Sequence, residues 1–254
     1  APTPVSAYLH SATMVKAGVF VLARFWPVLS GTEWWFWLVG GAGAITLLLG
    51  AYLAMFQNDL KRLLAYSTIS HLGLITLLFG LNSPLAAVAG VFHIMNHATF
   101  KASLFMAGGI VDHETGTRDI RRLDGLIRAM PRTGTLALVA TAAMAGVPLL
   151  NGFLSKEMFF SETVFLSASP VIEWTLPVLA TVASLFAVVY SLRFGYDIFF
   201  GPPSPDLPRT PEEAPRWMRM PIFFLVLACV IVGVMPTLAI GTVLDAAALP
   251  VVGG

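Results

Sequence analysis

The chain has 254 residues, 57% of them hydrophobic and only 11% charged, with a mean hydropathy of +0.79. A soluble domain carries about 25% charge, so the composition excludes a soluble enzyme or binding module and assigns the chain to a membrane. Fifteen basic and fourteen acidic residues nearly cancel, which gives no basis for a nucleic-acid partner or a polybasic anchor.

Segment I, about Thr3 to Trp26, is predicted as one helix holding His10 and Lys16 among apolar residues. Six positions apart on a continuous helix, these two point to different faces. Segment II, Trp34 to Phe56, carries no charge, and its Trp34, Trp35 and Trp37 fit an interfacial aromatic belt. Segment III, Leu63 to Leu81, follows Asp59-Leu60-Lys61-Arg62 and carries Ser67, Thr68, Ser70 and His71 in its first half. Segment IV runs from Pro84 to Val111. Segment V starts near Thr135 and is predicted to break between Ala145 and Gly152, because Gly146, Pro148 and Gly152 all weaken helix within two turns. Phe153, Lys156 and Glu157 follow the break. Segments VI, Trp174 to Phe194, and VII, Pro221 to Leu244, are apolar and flank a proline-rich loop from Gly201 to Pro215. The sum is an all-α polytopic transmembrane bundle of about seven helices.

Basic residues cluster in every second connection: Lys61 and Arg62; Arg118, Arg121, Arg122, Arg128 and Arg132; Arg209, Arg216 and Arg219. The positive-inside rule puts these loops in the cytoplasm. The lone Cys229 has no disulfide partner in the chain. The start Ala1-Pro2-Thr3-Pro4 has neither an initiator Met nor a basic n-region, and reads as the start of a fragment.

Segment IV organises the rest. His93, His97 and Lys101 recur every four residues and so rise along one helical face, about 6 Å apart. Ionisable groups at bilayer depth cost about 3 to 10 kcal/mol or more, which makes this ladder a candidate proton path rather than packing glue. A metal site is disfavoured: no Glu follows the first His, and Lys101 would repel a cation. Lys16 lies mid-segment, too deep to snorkel, and is expected to face the protein interior. Lys156 gains from the break beside it, since unwound backbone admits water, and Glu157 is its expected partner. Lys61 reads as an interfacial pair with Asp59, and His71 as a supporting residue softened by its hydroxyl neighbours. A lysine desolvated in a bundle drops toward neutral pKa, and histidine already titrates there, so both can trade protons.

Four stretches in order, Ala1 to Ala7 with His10 to Val15, Leu60 to Thr68, the ladder, and Gly152-Phe153-Leu154-Ser155-Lys156-Glu157, resemble the antiporter-like subunits of respiratory complex I and of Mrp-type cation/proton antiporters. The loop His113 to Ile120 resembles that of the large A subunit of Mrp sodium/proton antiporters. The resemblance implies inverted five-helix repeats, each with a broken fourth helix. Residues 1–26 would be the last helix of the first repeat and 34–200 the second repeat. Residues 201–220 would be a cytoplasmic loop, and 221–254 a following helix and tail. It also implies a relay of His10, His93, His97, Lys101 and Lys156, to which Lys16 is added on its burial. The expected function is proton translocation within a hetero-oligomeric sodium/proton antiporter of the bacterial cell membrane, with protons and sodium as cargo, lipid around it and no cofactor. The alternatives are a proton-pumping subunit of complex I and a structural membrane scaffold.

Overall fold

A computed structural model describes residues 3–166 and 169–252. Ala1 and Pro2 of the first motif, two positions inside the 34–200 range, and the last two of 221–254 lie outside the described residues. Ten helices follow one another: α1 Thr3–Ser11, α2 Ala17–Leu29, α3 Glu33–Met55, α4 Leu60–Gly80, α5 Pro84–Thr115, α6 Pro131–Ala145, α7 Asn151–Val164, α8 Pro170–Phe199, α9 Arg216–Val234 and α10 Thr237–Val252. Five stretches are long and apolar enough to cross a membrane: Val5–Leu29 (α1 with α2), α3, α4, α8 and α9.

The helix ends obey local chemistry. Asp59 starts α4 by accepting from Arg62 N at 2.9 Å, and Ser83 starts α5 by accepting from Ala86 N at 3.3 Å, with Pro84 at the first helical position. Gly116 and Gly146 end α5 and α6 at φ of +73° and +90°, the left-handed geometry that suits a residue without Cβ.

Helices α3 and α4 touch backbone to backbone. A Cβ on Gly43 would sit 2.3 Å from Leu77 N, and one on Gly73 would sit 2.3 Å from Leu47 N. Lipid tails supply no hydrophobic drive for helix association, so close packing of small residues has to supply it. Gly73→Ile should therefore force α3 off α4 and prevent assembly, read by size-exclusion of the solubilised complex. Gly41→Ile, which enters open space, should assemble normally.

Three expectations need correction. Segment I is not one helix: α1 stops at Ser11, Thr13 leaves helical geometry at φ −119° and ψ −94°, and a 3₁₀ turn at Met14–Lys16 leads into α2. The six-residue phase between His10 and Lys16 is thereby reset. Segment VII is likewise divided, because Pro236 disfavours helix at Met235, which sits at φ −133° and ψ 60°. Trp35 is not part of a belt: it is 7% exposed and donates to Phe79 O at 2.8 Å, whereas Trp34 and Trp37 are exposed.

The three basic connections meet at one end of the bundle. Leu60 N donates to Arg118 O at 3.0 Å, Ile120 N to Asn58 O at 2.8 Å, and Arg209 N to Thr115 O at 3.2 Å. Cysteines placed singly in each connection are expected to react with an impermeant reagent from the cytoplasmic side only. Labelling of any two from opposite sides would contradict the assigned orientation.

Candidate functional site: a buried row of histidines and lysines

The site begins with the missing donor of Pro148. A residue here would normally give its N–H to the carbonyl of Met144, four back. Pro148 cannot, and Leu149 turns to φ +70°, so the last carbonyls of α6 face inward. Lys156 on α7 takes both: its Nζ donates to Met144 O and Ala145 O at 2.9 Å each. A cation at a helix C-terminus also meets the negative end of the macrodipole. The segment V break thus lies where the glycines and proline place it.

Lys101 on α5 is fully buried. Its Nζ donates to Ser67 Oγ and, at 3.4 Å, to Leu64 O on α4, and lies 3.3 Å from Met144 Sδ. Met144 consequently stands between the two lysines, its sulfur toward one and its carbonyl on the other. Lys16 is 6% exposed and donates to Ile94 O of α5 at 2.6 Å, so it faces the interior. None of these three amines is ion-paired among the described residues.

The histidines form a cluster. His71 Nδ1 and His93 Nε2 lie 2.9 Å apart, His93 Nδ1 lies 2.9 Å from Ser155 Oγ on α7, and Tyr190 Oη on α8 lies 3.2 Å from His71 Nε2. His97 packs its ring 5.2 Å from His71 and 5.5 Å from Phe100, and neither of its nitrogens has a partner. Such orphaned buried nitrogens suit an ordered water. Beside the row, Asn151 Nδ2 donates to Thr99 Oγ1 at 2.9 Å and Asn96 Nδ2 to Asn151 O at 3.1 Å, tying α7 to α5.

His10 stands apart. It is half-buried, donates Nδ1–H to Ser6 O at 3.0 Å, and packs 5.2 Å from the Phe105 ring. It opens on a cavity of about 980 Å³ at the basic end, also lined by Asp59, Lys61, Arg62, Asp112 and Arg118. At that end the Arg121 guanidinium holds the exposed Asp119 carboxyl below the usual carboxylate range. A depressed carboxylate stabilises above its unfolded pKa and ceases to as pH falls through the folded one. The turn that Asp119 caps at Arg121 N should therefore loosen only in strong acid.

Two expected pairings are wrong. Lys61 pairs with Asp112 at 3.1 Å, not with Asp59, which faces Arg118 at 3.8 Å. Glu157 is exposed and forms no ion pair with Lys156 among the described residues, because adjacent helical residues do not face each other. Sequence reasoning missed Met144, Ser155 and Tyr190. Ser155 had a signal in its place beside Lys156, and Tyr190 in being a hydroxyl in an apolar segment. Among the described residues, no group of three or more His, Cys, Asp or Glu is placed to hold a metal ion.

Residues 1–187 match the family of NADH:quinone oxidoreductase/Mrp antiporter transmembrane proteins. The chain is 69% identical over 251 residues to the A/B subunit of a probable K(+)/H(+) antiporter of Rhizobium meliloti, covering 99% of this chain and 25% of that relative. It is 46% identical over 243 residues to the large A subunit of the Na(+)/H(+) antiporter of Bacillus subtilis, covering 89% and 30%. It thus spans between a quarter and a third of the length of these curated relatives. In structure it resembles a chain of the Mrp complex from Dietzia sp., with TM-score 0.85, 39% identity, and coverage of 100% of this chain and 27% of that one. It also resembles a chain of respiratory complex I from Thermus thermophilus, with TM-score 0.76, 26% identity, and coverage of 95% and 50%. The chain belongs to the NADH:quinone oxidoreductase/Mrp antiporter transmembrane family, as its ladder, its broken helix and its loop motif imply.

Proposed function

We propose that this chain is the proton-carrying part of a cation/proton antiporter, and that protons move among Lys16, His97, His93, Lys101 and Lys156, with His71 supporting and His10 at the mouth of the basic-end cavity. The observation that carries this reading is that Lys101 and Lys156 are 0% and 8% exposed and bond only neutral oxygens and a thioether. A permanent charge is costly there without a carboxylate beside it. An amine that takes and gives up a proton bears that cost only in passing.

The chain works within a hetero-oligomeric complex of the bacterial cell membrane and performs no covalent chemistry. Sodium is the proposed counter-cation, after the relatives named for Na(+)/H(+); the Rhizobium relative is named for K(+)/H(+), and assaying each cation in turn separates the two. A complex I role is less favoured, because that match has 26% identity against 69% and 46% for the antiporter relatives. The test is exchange in everted vesicles carrying the full complex with Lys156→Ala or Lys16→Ala. Loss of exchange with normal assembly supports the relay. Wild-type rates from both variants would overturn it.

A further inference from the structure

His71 and His93 share one hydrogen between His71 Nδ1 and His93 Nε2, 2.9 Å apart. That leaves the pair two outer nitrogens, and each faces a hydroxyl: His71 Nε2 faces Tyr190 Oη at 3.2 Å and His93 Nδ1 faces Ser155 Oγ at 2.9 Å. All four side chains are at most 2% exposed and come from four helices, α4, α5, α7 and α8. Two neutral imidazoles carry two N–H hydrogens. One is the shared hydrogen, so the neutral pair has one outer N–H and one bare outer nitrogen. One hydroxyl must therefore donate and the other accept. When the pair holds an additional proton, both outer nitrogens carry hydrogen and both hydroxyls must accept.

A hydroxyl can change role only if its own hydrogen has somewhere else to go. Both have such an outlet. Tyr190 is also within hydrogen-bonding range of Ser70, whose Oγ gives its hydrogen to Leu47 O at 3.1 Å and so keeps lone pairs free. Ser155 reaches Gly152 O at 3.4 Å. Every donor is satisfied whether the pair is neutral or protonated, a condition that buried polar networks have to meet to avoid a penalty of about 1–3 kcal/mol for each orphaned group.

We propose that Tyr190 and Ser155 are paired hydroxyl rotors that let the His71–His93 pair accept and release one proton inside the bundle. The inference rests on the relay reading above and adds two positioning residues to it. The step is a proton uptake alone. One N–H bond forms at the bare outer nitrogen, the proton comes from the carrier before it in the row, and the facing hydroxyl turns its O–H to Ser70 or to Gly152 O. The charged or titratable groups around the pair are His97 and Lys101 on α5, Lys156 on α7 and Lys16 at the turn before α2. All are bases, so they compete for the same proton and none supplies a fixed counter-charge.

The test uses the full complex reconstituted in proteoliposomes. Tyr190→Phe and Ser155→Ala are each expected to slow exchange by about tenfold or more, in line with the loss of one proton-transfer partner, with assembly intact. Because blocking either end blocks the same pair, the double variant should be no slower than the slower single one. A merely structural role predicts effects that add. Ser155→Thr, which keeps the hydroxyl, should retain nearly the wild-type rate and carries the test if Tyr190→Phe assembles poorly. Wild-type exchange by Ser155→Ala, or additive losses in the double variant, would overturn the proposal. If Lys101→Ala abolishes exchange while Tyr190→Phe and Ser155→Ala do not, the rotors fail and the relay stands. If Lys101→Ala exchanges normally, the relay itself fails.

Discussion

Lys101→Ala in the full complex is expected to cut cation/proton exchange by about a hundredfold or more, the scale of losing a positioned proton carrier, while the complex still assembles. The geometry separates these two outcomes. Removing the ammonium orphans nothing: Ser67 Oγ still donates to Leu64 O at 2.9 Å, and Leu64 O still accepts from Thr68 Oγ1 at 2.8 Å. Met144 Sδ is a weak acceptor that tolerates an apolar neighbour. The cavity left by the side chain costs about 2–5 kcal/mol by comparison with other large-to-small core changes, partly offset by no longer burying an amine. Exchange rates normalised to the amount of assembled complex check this directly.

Gly152→Ala should be nearly as severe, by a different route. A Cβ at this position would lie 1.8 Å from Ala143 O and 2.8 Å from Ala143 C, backbone atoms that cannot swing aside. Helices α6 and α7 would have to part by more than about 1 Å on van der Waals grounds, with an overpacking cost of about 1–3 kcal/mol. Lys156 lies one turn beyond Gly152, so the same displacement draws its Nζ off the Met144 and Ala145 carbonyls. The expected result is a drop in exchange by about tenfold or more, since a misplacement near 1 Å in a reacting geometry costs that much or more, together with a lower melting temperature of the solubilised complex. Gly108→Ala, whose Cβ would meet side chains at an ordinary 3.8 Å, should change neither. Normal exchange by Gly152→Ala would show that the fit of α6 on α7 does not position Lys156.

The parts of this site that were legible in the sequence are those whose cause is local. The break between α6 and α7 follows from Gly146, Pro148 and Gly152, and the burial of Lys16, His93, His97 and Lys101 from their depth in apolar runs. The interruption between α1 and α2 was not legible, because Ala12 and Thr13 carry no proline or glycine to announce it. The division at Pro236 had its signal, yet the apolar run continues through it and reads as one span. Partners were hardest to read. Tyr190 is 119 positions from His71, and Met144 is 43 from Lys101, contacts that no helical periodicity encodes. Lys61 shows the same limit, with Asp59 as its neighbour in sequence and Asp112 as its neighbour in space.

The central claim is that these lysines act by releasing protons and not by carrying charge or filling space. Lys101→Arg tests it most directly, because guanidinium keeps a positive charge and a long side chain but holds its proton far too tightly to pass it on. Exchange should be measured across a range of pH on complexes shown to be assembled. The relay predicts that Lys101→Arg is as inactive as Lys101→Ala throughout that range, whereas exchange by Lys101→Arg near the wild-type rate would contradict it.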